Sequence, residues 1–104
     1  MQLYPLKLVT VVAEEILKGQ ITKKAVALGA TGFTYHVTHG CGPRDTRHDS
    51  LSGDNVRIEF VCPQDVAEAI LTMISHDFFE HYACIAWVTD VTVMRGALYA
   101  KKKT

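Results

Sequence analysis

Hydrophobic positions along the chain fall into short alternating runs, broken twice by longer stretches with helical spacing. Residues 6–12 (LKLVTVV) read as a strand that is apolar on both sides. Leu6, Leu8 and Val12 point one way, Val9 and Val11 the other. A strand of that kind is usually covered on both faces. Residues 13–28 read as a helix, because Leu17, Ile21, Ala25 and Leu28 recur at spacings of four, four and three. Glu14 and Glu15 fall in its expected first turn and Lys23 and Lys24 nearer its end, as the helix dipole favours. Gly29 is the expected stop, and Gly19 is a mild internal liability of about 1 kcal/mol relative to alanine.

Residues 32–38 form a second strand with Phe33, Tyr35 and Val37 on one face and Thr34, His36 and Thr38 on the other. In a third, residues 56–62, Val56, Ile58, Phe60 and Cys62 point inward, and Arg57 and Glu59 point away. Pro63 suits the first position of a second helix, whose core stripe is Val66, Ile70, Met73 or Ile74, and Phe78. A fourth strand, residues 84–94, places Ile85, Trp87, Val91 and Val93 on one face and Ala86, Val88 and Met94 on the other, interrupted by Asp90. A short fifth strand is expected at 98–100. The order βαββαβ predicts an α+β, ferredoxin-like sandwich: one antiparallel sheet with two helices on one face. Strands one and four leave Val, Ile and Trp side chains on the other face. An apolar patch of that kind marks an interface, which predicts a closed cyclic oligomer.

The chain has 104 residues, enough for one domain spanning 1–104. Eleven basic and eleven acidic residues leave no net charge, which argues against nucleic-acid or membrane-surface binding. No apolar run approaches the roughly 20 residues of a spanning helix, and the first residues do not resemble a signal peptide. Cys41, Cys62 and Cys84 are scattered without a C-x-x-C pair, so reduced thiols and a cytoplasmic location are expected. Cys62 and Cys84 fall on strands, where buried small hydrophobes are the usual reading.

The one long stretch without periodicity is residues 38–54, THGCGPRDTRHDSLSGD. Loops beyond about 12–15 residues are commonly functional or disordered. Gly40 and Gly42 let backbone amides approach a ligand and form a concave nest for an anion. Arg44 and Arg47 add guanidinium forks suited to phosphate or carboxylate. Neither a Walker A pattern nor G-x-G-x-x-G is present. His39, Cys41, His48 and Asp49 could ligate a metal, although their spacing fits no standard zinc site. Cys41 with His39 or His48 could form a nucleophile pair, but no third group orients it. His76 and His81 suit the end of the second helix, where a cation favours the dipole. Arg95-Gly96 reads equally as a phosphate contact or a strand end.

These segments resemble the PII-like signalling proteins, and most closely the branch associated with bicarbonate transport and carboxysomes. LKLVTVVAEEILK is similar to that branch's first strand and helix, ATGFT and HGCGPRDTR to its second strand and the base of its T-loop, and HDFFEHYACIAWV to its B-loop and fourth strand. The resemblance implies a homotrimer with adenine-nucleotide sites in the clefts between subunits, no enzymatic activity, and a T-loop at about 38–54. That loop would contact a membrane bicarbonate transporter or another carbon-concentrating component. By position, Thr34 would hydrogen-bond the adenine. Gly40, Gly42, Arg44 and Arg47 would hold phosphate, the backbone around Tyr82, Ala83 and Cys84 would form the B-loop side, and Arg95 would contact phosphate. Cys84 stands where ordinary PII proteins carry a phosphate-binding lysine, so AMP, ADP or cyclic AMP is as plausible a ligand as ATP. Bicarbonate is a possible second ligand. The T-loop lacks the tyrosine that is uridylylated in some PII proteins, and a redox switch through a cysteine-bearing tail, as in some bicarbonate-transport regulators, is not expected. The alternative is a trimeric divalent-metal-binding protein of similar fold, with His39, Cys41 and His48 as ligands.

Overall fold

The computed structural model describes residues 1–40 and 53–99. Its elements are β1 (Leu3–Glu14), α1 (Lys18–Ala27), β2 (Thr34–Gly40), β3 (Gly53–Cys62), α2 (Gln64–Phe78) and β4 (Cys84–Met94). The sheet order is β2-β3-β1-β4 with every neighbouring pair antiparallel. This is the expected ferredoxin-like arrangement, with each helix crossing over a central strand.

β1 and β3 occupy the middle of the sheet. Val9, Val11 and Ala13 of β1 and Val56, Ile58, Phe60 and Cys62 of β3 are each fully buried beneath the helices. They pack against Leu17, Ile21 and Ala25 of the first helical segment and Val66, Ala67, Ile70, Ile74 and Phe78 of α2. At about 0.8 kcal/mol per buried methylene, this one layer supplies most of the apolar burial of the fold.

Several boundaries differ from the periodicity: β1 runs over Leu3–Glu14 rather than 6–12, β2 over Thr34–Gly40 rather than 32–38, and β3 begins at Gly53 rather than Val56, because cross-strand pairing extends each strand beyond its apolar run. The first helix does not start at Ala13. β1 stays paired as far as Ala13 and Glu14, opposite Val56 and Asn55 of β3, and Ala13 also faces Cys84 of β4. A 3-10 turn, Glu15–Leu17, precedes α1. Sheet pairing on both flanks outweighs helix propensity there. Leu28 is 40% exposed and does not extend the buried stripe. The expected fifth strand at its described residues is a 3-10 turn, Gly96–Leu98.

Both helix ends follow from local chemistry. Gly29 adopts a positive φ of 121° after α1. Its N–H bonds the carbonyl of Val26, and that of Ala30 bonds Ala25, a Schellman closure that satisfies the free carbonyls of the last turn. Pro63 stands immediately before α2 with an extended backbone, and its carbonyl accepts the Ala67 N–H at 2.9 Å.

The opposite face of the sheet carries no helix. Cross-strand register puts Leu6, Leu8, Thr10 and Val12 of β1 there, beside Ile85, Trp87 and Val91 of β4 and Arg57 and Glu59 of β3. Thr10 is fully buried even on this open side, and its hydroxyl has no hydrogen-bond partner among the described residues. The Arg57 guanidinium lies 5.4 Å from the Trp87 ring centroid, and Ile85 and Trp87 are 48% and 38% exposed.

Two glycines separate packing from propensity. A Cβ at Gly19 meets nothing within 4 Å, whereas one at Gly96 falls 2.6 Å from the Cβ of Tyr4. Urea unfolding should find Gly19→Ala neutral or stabilised by up to about 1 kcal/mol, and Gly96→Ala destabilised by about 1–3 kcal/mol. A stable Gly96→Ala chain would contradict the close packing of the β4 exit against β1.

Candidate functional site

The expected site residues are distributed over the two edges of the sheet. Thr34 opens edge strand β2, on the helix-free face opposite Glu59. It lines a cavity of about 340 Å³ together with Leu8, Thr31, Phe33, Glu59 and Tyr99. The cavity is built from three directions. The chain enters from the α1 end through Thr31 and Gly32, β1 and β3 supply the floor, and the 3-10 turn after β4 brings Tyr99 across. The Thr31 hydroxyl is buried in this wall without a hydrogen-bond partner among the described residues. An unpaired buried hydroxyl is costly unless something satisfies it.

Gly40 ends β2 at the hairpin, opposite Gly53. The ladder between β2 and β3 therefore includes both ends of the 38–54 stretch. Gly42, Arg44 and Arg47 lie outside the described residues, as do Cys41, His48 and Asp49. Of the potential metal ligands, His39 is described. It faces Asp54 across the ladder, Nδ1 to Oδ1 at 3.0 Å. Among the described residues no group of three or more metal-ligating side chains converges.

Tyr82, Ala83 and Cys84 lead into the other edge strand. Tyr82 packs its ring against Phe78, centroids 6.1 Å apart, and its N–H bonds the Phe78 carbonyl at 3.0 Å. Ala83 is 3% exposed, and its N–H donates to the Glu14 carboxylate at 2.9 Å. Cys84 turns toward the helices and packs on the core. Burial, with the Glu14 carboxylate second, pushes its thiol up to about 12. Burial, with Asp65 second, pushes the Cys62 thiol up to about 11. Cys84 thus offers an anionic ligand neither charge nor side chain, only backbone. Sequence reading placed Glu14 in a helix and missed its role. The alternation Val9, Val11, Ala13 was the available signal, since it continues the strand two residues further.

Within one chain these groups do not form a single pocket. Cys84 is level with Val37 of β2 through Ala13 and Val56. Three strand spacings, roughly 14 Å, separate those edges. Arg95 stands beyond the far end of the 11-residue β4, about 33 Å from Cys84. It adopts a left-handed backbone, φ 58° and ψ 29°, that turns the chain toward Tyr99. The structure brings Thr34 together with Tyr99, and not with the Tyr82–Cys84 turn.

The frame is a four-stranded antiparallel sheet with one uncovered face, neighbouring β2 and β3, and a cavity at its edge. Residues 6–97 match the model of the family described as nitrogen regulatory protein P-II, and the chain belongs to that family. It is 41% identical to a PII-like signalling protein of Thermus thermophilus. That match covers 96% of this chain and all of that one, with a TM-score of 0.83. CPII of Thiomonas intermedia, in a complex with ADP, AMP and acetate, shares the fold at 24% identity and a TM-score of 0.83, covering 97% of this chain and all of that one. The GlnK–ATP complex of B. subtilis shares it at 16% identity and a TM-score of 0.65, covering 84% of this chain and 83% of that one. No curated protein matches the chain. Among the described residues no helix is long and apolar enough to cross a membrane.

The thiols give a direct check. In a Cys41→Ser chain, Cys62 and Cys84 should resist a thiol reagent at pH 8 and react rapidly once unfolded. Because both keep their protons when folded and lose them near pH 8.5–9 when unfolded, the folded chain binds more protons above that range. Stability should then fall as pH rises from about 9 to 11. Rapid labelling of Cys84 in the folded protein would contradict its placement.

Proposed function

We propose that this PII-family chain is a non-enzymatic regulator that assembles as a homotrimer and binds an adenine nucleotide in the clefts between subunits. Occupancy would be signalled through the 38–54 segment, the T-loop. The observation that carries the reading is the division of the site. The Thr34 cavity lies at the β2 edge, the Tyr82–Cys84 turn lies at the β4 edge, and the apolar face between them is uncovered. Packing that face against other copies would bury Trp87 and Ile85 and bring the β2 edge of one chain to the β4 edge of the next. Burial of exposed aromatic and branched side chains is the usual driving force for such assembly.

The polar and charged groups then have stated tasks. Thr34, with the unpaired Thr31 hydroxyl and the Glu59 carboxylate near it, supplies polar groups for a base. Gly40, Gly42, Arg44 and Arg47 supply amides and guanidinium groups for phosphate, and Arg95 a further cation. CPII structures hold ADP, AMP and bicarbonate, which supports these ligands here. Two arginines three residues apart repel each other, so an anion bridging them would favour an ordered loop. We further propose a role in inorganic carbon uptake or carboxysome regulation, with a membrane bicarbonate transporter or a related component as the T-loop's partner and bicarbonate as a second ligand.

Isothermal titration with AMP, ADP, ATP and cyclic AMP, each with and without bicarbonate, tests this. Binding near one nucleotide per chain is expected. Arg44→Ala should weaken it about tenfold or more without altering the folded assembly, since a charged hydrogen bond to phosphate contributes about 1.5–3 kcal/mol. Wild-type affinity in Arg44→Ala would remove the phosphate role. Failure of all four ligands to bind, with zinc or copper bound through His39 and Cys41, would favour a metal-binding protein instead.

A further inference from the structure

One row of side chains crosses the helix-free face from edge to edge. Thr34 of β2 is paired with Glu59 of β3, Glu59 with Thr10 of β1, and Thr10 with Trp87 of β4. Glu59 is also a wall of the Thr34 cavity. Its carboxylate faces Arg57, Nη2 to Oε2 at 3.5 Å, and the Arg57 guanidinium lies over Trp87, 5.4 Å from the ring centroid. That ion pair is longer than the roughly 2.7–2.9 Å of a charge-assisted hydrogen bond, and its side chains are 39% and 32% exposed. Glu59 is therefore only loosely committed to Arg57. Thr10, between Glu59 and Trp87, is fully buried, and its hydroxyl has no hydrogen-bond partner among the described residues. It offers the guanidinium a second acceptor.

We infer that Glu59 and Arg57 couple the Thr34 cavity to the Trp87 face: a ligand that donates a hydrogen bond to Glu59 releases Arg57, which changes its stacking on Trp87 and so the surface that other copies would cover. The inference rests on the nucleotide reading above. An ionised carboxylate only accepts hydrogen bonds, so an N–H or O–H of an occupant competes with the guanidinium for the same oxygens. The ligand moves Arg57 only by as much as it favours the released state. By linkage, whatever fixes Arg57 between Glu59 and Trp87 weakens that ligand.

Trp87 is the sole tryptophan of the chain, so tryptophan emission reads this one position. It stands two strand spacings from Glu59, roughly 10 Å, so an occupant hydrogen-bonded to Glu59 reaches it through Arg57. The four nucleotides named above serve as probes, with binding followed by calorimetry and Trp87 by fluorescence. In the wild-type chain, a nucleotide that binds should change Trp87 emission in proportion to occupancy. Arg57→Gln should bind that nucleotide at least as tightly, by up to about fivefold, the range of an exposed ion pair, and its Trp87 emission should no longer respond. Saturation of the wild type without a change in emission would overturn the coupling and leave nucleotide binding intact. An Arg57→Gln chain that keeps the wild-type response, or that binds more weakly, would overturn it too. No binding of any of the four by the wild type would remove the nucleotide reading and this inference with it.

Discussion

Strand β1 is hydrogen-bonded on both flanks and apolar on both faces, and the rest of the molecule is arranged by that constraint. One face is satisfied within the chain, where Val9, Val11 and Ala13 lie under the helices at zero exposure. The other face ends in Leu6, Leu8, Thr10 and Val12 with no layer above it. No element of the described chain is left to cover that surface, since both helices are committed to the first. A central strand with two apolar faces asks for two covers, and a single copy supplies one.

The same constraint divides the chemistry. With β1 and β3 in the middle, β2 and β4 are the edges, and the groups suited to a ligand sit on those edges. The Thr34 cavity and the Ala83 turn are separated by the width of the sheet. One carries an unpaired hydroxyl, on Thr31. The other carries an amide already paired, with Glu14. The two halves thus differ in what they can still offer. The first has hydrogen-bonding capacity to spare, while the second has its Ala83 amide already paired within the chain.

Much of this architecture could be read from residue order. The alternation in β3 placed Val56, Ile58, Phe60 and Cys62 inward, and all four are fully buried. The two faces of β4 and its limits at Cys84 and Met94 follow from the same period. The α2 stripe was legible at Val66, Ile70 and Phe78, while the choice between Met73 and Ile74 was left to the structure, which buries Ile74 and leaves Met73 partly buried. The junction after β1 was not. Ala13, Glu14 and Glu15 are good helix formers, and only pairing with strands distant in sequence keeps the first two extended. Glu14's bond to Ala83 was invisible for the same reason: local propensity carries no information about a partner 69 residues away. Tyr99 reached the Thr34 cavity through the left-handed backbone at Arg95, a conformation that Arg95-Gly96 permits but does not announce.

The central claim is that one chain holds two half-sites and an uncovered face that only other copies complete. Sedimentation velocity of the purified, ligand-free protein tests it most directly, because it reads the assembly before any nucleotide is invoked. A single species at three times the 11.5 kDa chain mass, persisting through dilution to micromolar concentration, is the predicted result. A stable 11.5 kDa monomer across that range would contradict the account, for it would leave Trp87 and Ile85 in water and the two half-sites at opposite edges of one sheet.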